Sequence, residues 1–175
     1  MLSRRKGKDI LFLCVLMVLV ACIVYEGYRM MRPSVKQEDA GKMLFEVTHF
    51  QMEVLNTSLM EALQASHTED LNALKLAAYS AHYSHERMVR AYGTDNLQSL
   101  SALRKLLDMI TQWQIGGNRP LTDNEHELLT KYSTIFAELL PGYTLLLDNN
   151  NRIVASQADH IKQIGETLES LFSES

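Results

Sequence analysis

The residues best suited to chemistry in this chain are its six histidines: His49, His67, His82, His85, His126 and His160. Their tightest grouping is His82-Tyr83-Ser84-His85-Glu86. Residues three and four apart share a helical face, so His82, His85 and Glu86 can converge as nitrogen and oxygen donors to a divalent metal. Glu46-Val47-Thr48-His49 adds the Glu-x-x-His spacing that di-iron helical bundles use. Those centres need the motif twice, plus two further glutamates, and here it occurs once. The simpler reading makes His85 a core or partner-facing residue and leaves the other histidines solvated. No metal or cofactor is assigned on this basis, and His82, His85 and Glu86 stand as the only candidate ligands.

Other chemistries lack their parts. There is no Gly-x-Ser-x-Gly elbow, no phosphate loop and no cysteine beyond Cys22. The carboxylate pairs Glu69/Asp70 and Glu125/Glu127 fall where helices are expected to begin, and there the helix dipole favours negative charge. The expectation is a protein without catalytic activity. Tyr79 and Tyr83 lie off the Leu71/Leu74 seam of their helix, so they are the candidate interaction residues. Asn56-Thr57-Ser58 fits a glycosylation acceptor but sits within a helical stretch, and it is read as a chance match.

The elements expected to position these residues are helices. A first, from about Ser34 to Ala65, carries an apolar stripe of Met43, Val47, Phe50, Val54, Leu55, Leu59, Ala62 and Leu63. Ser66-His67-Thr68-Glu69 reads as a capping box opening a second. Its seam is Leu71, Leu74, Ala78, Ala81, His85, Met88 and Tyr92, and Gly93 ends it. A third begins at Thr94 or Asp95, buries Leu100, Leu103, Leu107 and Ile110, and stops at Gly116-Gly117. Pro120 and the capping box Thr122-Asp123-Asn124-Glu125 open a fourth. It buries Leu129, Tyr132 and Phe136 among others, and Pro141-Gly142 marks the break after it.

Residues 143–155 read two ways: as a short β-hairpin around the Asp148–Asn151 turn, or as a broken helix. The broken helix is narrowly preferred, with a firm helix at Gln157–Phe172. Together these segments define an all-α chain, an antiparallel bundle of four to five helices over residues 33–175.

Ahead of that domain lies the membrane signal. Residues 1–9 form a basic tail with Arg4, Arg5, Lys6 and Lys8, and the run Ile10–Tyr25 has no charge. At about 1.5 Å per residue it spans roughly 24 Å, and extending it to Tyr28 brings it near a ~30 Å hydrocarbon core. Residues 10–28 are therefore expected to anchor the chain in the bilayer. The basic tail stays cytoplasmic and residues 33–175 lie outside the cytoplasm. Leu19-Val20-Ala21-Cys22 resembles the lipobox of bacterial lipoproteins. That resemblance implies cleavage after Ala21 and a lipid on Cys22 in place of an uncleaved signal-anchor. Both fates stay open, the signal-anchor being preferred because the apolar run continues past Cys22.

Charge and cysteine content narrow the function classes. The chain has 17 Lys+Arg and 21 Asp+Glu. The six basic and two acidic residues before Pro33 leave 11 and 19 after it, a net charge of −8. An acidic domain without a basic patch is not expected to bind nucleic acid. With both cysteines inside the apolar run, no disulfide framework holds the domain, and packing must stabilise it. A cysteine-free exported domain is compatible with a bacterial source. The expected role is an interaction or scaffold protein with the bilayer and a protein as partners. Alternatives are a ligand-sensing domain acting through a partner membrane protein, and a metal-binding bundle.

Overall fold

Helical periodicity dominates the chain. In the computed structural model, which describes residues 14, 16–26 and 35–173, six α-helices lie within 35–173 and no strand is found among the described residues. The chain divides into two units, Met1–Asp39 and Ala40–Ser175. In the first, residues 16–26 are helical with exposed side chains. Among the described residues no helix is long and apolar enough to cross a membrane. The expected anchor at 10–28 lies partly outside them, and the basic tail at 1–9 and Pro33 wholly so.

The helices are α1 (Val35–Ala62), α2 (Asn72–Tyr92), α3 (Ser101–Gln114), α4 (Asp123–Ala137), α5 (Leu139–Thr144) and α6 (Ala155–Ser170). The all-α class is as the sequence indicates. Helix α3 packs on α2, and α6 packs on α3, α4 and α5. The core draws on all six helices, with Leu55 and Leu59 from α1, Leu74 and Met88 from α2, Leu103 and Leu106 from α3, Tyr132 and Phe136 from α4, Tyr143 from α5, and Ile161 and Leu168 from α6. Small residues set the closest approaches. A Cβ on Gly165 would sit 2.6 Å from Leu100 Cδ2, and one on Gly142 would sit 3.1 Å from Ile161.

Several boundaries differ from expectation, each for a local reason. The box expected at Ser66–Glu69 is closed by the next carboxylate. Asp70 accepts from the Ser66 and His67 backbone N–H groups at 3.0 and 2.9 Å. Those bonds hold the Asp70 carboxyl below its ordinary pKa. A 3-10 turn at Thr68–Leu71 intervenes before α2. This loop pairs with the α3–α4 loop, Thr68 N–H donating to Arg119 at 2.9 Å and Leu121 N–H to Ser66 at 3.0 Å.

Helix α3 begins at Ser101, seven residues after Thr94. Gly93 turns the chain with φ 88°, and the non-helical segment after it buries Leu97 and Leu100. At the fourth helix the expected box forms. Thr122 N–H donates to the Glu125 carboxylate at 2.8 Å, and Glu125 N–H donates to Thr122 Oγ1 at 3.3 Å. Arg119 adds a two-pronged ion pair to Glu125, with bonds of 2.9 and 2.5 Å.

Pro141 and Gly142 do not break the chain. They lie in α5, where a proline in the first turn lacks only an N–H that would be unpaired anyway. The break falls at 145–154, and both readings of that stretch contribute to it. Leu147 and Ile153 make a single antiparallel bridge across a tight turn, without forming strands. Asp148 caps the turn by accepting from Asn150 and Arg152 N–H, and Asn151 takes the left-handed conformation at φ 58°. The last helix then runs from Ala155, two residues earlier than expected.

Candidate interaction surface

The histidine group resolves into a structural role. His85 sits on the core face of α2, fully buried. Its Nε2 lies 2.8 Å from the Gln98 carbonyl oxygen, which can only accept, so Nε2 carries the proton. Nδ1 is then the acceptor, and the buried Tyr143 hydroxyl of α5 donates to it. Burial pulls the His85 pKa down to about 4. It pushes that of Tyr143 well above its ordinary value. The neutral imidazole thus joins α2, the α2–α3 loop and α5, and neither nitrogen is left for a metal.

Of the other two candidate ligands, His82 and Glu86 are half-buried on a flank of α2. Among the described residues no group of three or more His, Cys, Asp or Glu is placed to hold a metal. In the candidate set His82, His85 and Glu86 the helical spacing is present, and the core takes its central member, His85. His49 of the single Glu-x-x-His stacks on Phe45 and lies 3.2 Å from Thr144 Oγ1 of α5.

What the molecule does present is apolar surface. Tyr79 and Tyr83 stand on the outer side of α2, their rings stacked with centroids 6.3 Å apart. The Arg87 guanidinium lies 4.7 Å over the Tyr83 ring, a cation–π contact that ends the stripe with a positive charge. Leu76 extends the stripe one turn earlier. It escapes sequence reading because a lone leucine beside the seam looks like a widened core.

Helix α1 carries a second such stripe. The sequence places Met43, Val47 and Phe50 in one stripe with Leu55, Leu59 and Ala62, and only the latter three are buried. Met43, Val47 and Phe50, together with Leu76, Tyr79 and Tyr83, are 50–67% exposed. The core instead takes Thr48, Met52, Leu55 and Leu59 from the opposite side of α1. At 100° per residue, Met43, Val47 and Phe50 point roughly 180° away from Met52 and Leu59. Helix α1 is thus apolar on two sides and the fold covers one of them.

The two stripes lie on neighbouring helices. A Cβ on Gly41 would be 3.0 Å from the Tyr92 hydroxyl. At the other end, Ser58 and Ala62 share a small cleft with Ala73 and Leu74. Helices α1 and α2 therefore run antiparallel, with Phe50 level with Tyr83 and Val54 level with Tyr79. On α2, Ala73 shares the cleft with α1, and Ala77, Ser80 and Ser84 fall on the same side of the helix by their spacing.

A separate cleft of about 500 Å³ is lined by Met109 and Trp113 of α3, Leu128 of α4 and Phe172. Two of its charged residues are already engaged, Lys105 with Glu169 at 2.6 Å and Glu125 with Arg119. Cys22, the lipidation candidate, is a free thiol in the exposed helical stretch 16–26. Comparison with protein-family models, with curated proteins and with solved structures finds no match to this chain.

Proposed function

We propose that this chain is a membrane-anchored, non-catalytic interaction protein whose antiparallel helical bundle lies outside the cytoplasm. The observation that carries this reading is the uncovered apolar face on α1 and α2, built from Met43, Val47, Phe50, Leu76, Tyr79 and Tyr83. Aromatic residues exposed in contiguous stripes mark contact surfaces, because water contact with so much apolar area is costly unless a partner covers it. Short connections between most of the helices, and a core shared by all six, support the bundle.

The anchor is supported by the run Ile10–Tyr25 and by the basic residues before it. The exposed apolar side chains at 16–26 suit a lipid-facing helix. The intact mass of protein extracted from membranes is expected to include Met1–Ala21. A mass that lacks them and gains acyl chains would make Cys22 the anchor point instead.

Replacing both Tyr79 and Tyr83 by Ser tests the surface. Both are half exposed, so the thermal midpoint is expected to move by no more than a few degrees. Association, read by cross-linking in native membranes, is expected to fall by tenfold or more, since paired aromatic contacts are worth over 1.4 kcal/mol. Undiminished association in the folded variant would refute the assignment.

One observation favours a second reading. The Trp113–Phe172 cleft combines an apolar lining with Asp108, Gln112 and Asn124, which suits a small amphiphilic ligand. In that case the domain senses a ligand and signals through a partner membrane protein.

A further inference from the structure

We propose that the partner of the exposed α1/α2 face is a second copy of this chain, the two α1 helices lying side by side and parallel. The inference deepens the interaction reading given above, and its parallel sense rests on both copies being anchored in one membrane.

The spacing on α1 is the first argument. Met43, Val47, Phe50 and Val54 recur at steps of four, three and four, the a/d repeat of a two-stranded coiled coil. Val47 and Val54 take the a positions, where β-branched residues favour parallel pairs; Met43 and Phe50 take d. Val54 is half-buried at the edge of the core and closes the seam on that side. A surface helix serving only its own domain needs one apolar stripe, and α1 has two on opposite sides.

Charge is the second. In this register Leu44, Gln51 and Ser58 occupy e, the side on which α2 lies, since Ser58 shares a cleft with Ala73. Glu46 and Glu53 occupy g, and their side chains are 60% and 55% exposed. A parallel neighbour sets its g residues beside the e side of the first copy, and so beside α2. Antiparallel α1 and α2 place Arg87 level with Val47. Arg87 of one copy therefore meets Glu46 and Glu53 of the other, and the two-fold axis repeats the contact. Tyr83, already under Arg87, covers the same seam. Between Met43 and Val54 no like-charge pair faces across it, and Glu61, the next a position, lies beyond that end.

The same two glutamates argue against a lipid occupant. An amphipathic face that lies on a membrane is rimmed by Lys and Arg, whereas this one has Glu46 and Glu53 along one rim of a domain with a net charge of −8.

The test uses the full chain in its native membrane, with a photoactivatable benzoylphenylalanine placed at Phe50 or at Met43. Both probes are expected to yield a product of twice the chain mass, with cross-linked peptides from this chain only. The Met43 probe reads direction, capturing residues 40–47 of the second copy if the helices are parallel and 54–58 if antiparallel. Val47→Glu puts a charge in the seam and is expected to lower dimer yield at least tenfold, while the helical melt stays unchanged because Val47 is exposed in the single copy. A probe at Ile115, exposed after α3 and away from α1, is expected to give no dimer. Adducts only to lipid or to a different protein, no adduct at all, or an antiparallel pattern would each overturn the proposal. Resistance to alkaline carbonate extraction, read on the same membranes, tests the anchor separately: a dimer in the extracted fraction would sink the anchor and leave the pairing intact.

Discussion

Lowering the pH from 7 to 4 is expected to remove about 3 kcal/mol of stability from the helical domain, with His85 as the cause. In the fold its pKa is held down to about 4 against an ordinary 6.5. Between those values the unfolded chain binds a proton that the folded chain refuses, so acid favours unfolding. The contribution is fully present above pH 6.5, falls as pH drops through that window and is gone by about 4. Two and a half units correspond to about 3 kcal/mol. Loss of solvation is the largest cause of the depression; the Gln98 carbonyl and Glu86 oppose it, and His82 adds to it.

The dependence belongs to a particular window, which makes it separable. Glu125 has its pKa lowered from 4.5 to about 2, first by its hydrogen bonds to Arg119. Its contribution is present above 4.5 and lost as pH falls toward 2, below the His85 window. It is smaller than the shift alone suggests, because the Arg119 side chain is 42% exposed and water screens the pair. Urea midpoints measured at half-unit steps should therefore show a decline from 6.5 to 4 that His85→Leu abolishes, although that variant starts less stable with the Tyr143 hydroxyl and Gln98 carbonyl unpaired. A wild-type midpoint that is flat over that range would contradict a neutral buried His85.

Much of this fold is legible in the chain because its signals are local. Thr122 and Glu125 lie three residues apart and cap as expected, and Gly93 and Gly116-Gly117 end their helices where they stand. The shifts have short-range causes too. Asp70 outcompetes Glu69 as the capping carboxylate, and Pro141 is tolerated because it falls in a first helical turn. The site is another matter. The Tyr143 hydroxyl that donates to His85 Nδ1 is 58 residues away, and no spacing rule reaches it. On α1, helical periodicity runs Met43, Val47, Phe50, Leu55 and Leu59 into one stripe, which the structure divides into an exposed and a buried face. Periodicity does not tell which face the rest of the chain covers. Tyr79 and Tyr83 could be placed because a competing seam, Leu71/Leu74, stands on the same helix.

That ambiguity sets up the second large effect. Phe136→Ala is expected to cost about 3–5 kcal/mol, a fall in Tm of roughly 10–20 °C, whereas Phe50→Ala should stay within about 0.5 kcal/mol in the single copy. The residue type and the atoms removed are the same, so the difference isolates burial. Phe136 is fully buried and stacks on Tyr132 with ring centroids 6.2 Å apart; Tyr132 in turn tilts against Phe172 at 5.8 Å. Removing the Phe136 ring deletes one wall of this aromatic layer and leaves a cavity beside the Tyr132 ring. Tyr132→Phe separates packing from polarity. It loses only a 3.2 Å bond donated to the Ala102 carbonyl, worth about 1 kcal/mol. Thermal melts of the three variants in detergent should rank them Phe136→Ala, Tyr132→Phe, Phe50→Ala in order of damage. A Phe50→Ala loss approaching that of Phe136→Ala would mean the outer stripe of α1 is core after all, and the surface assigned to a second copy would no longer be free to receive it.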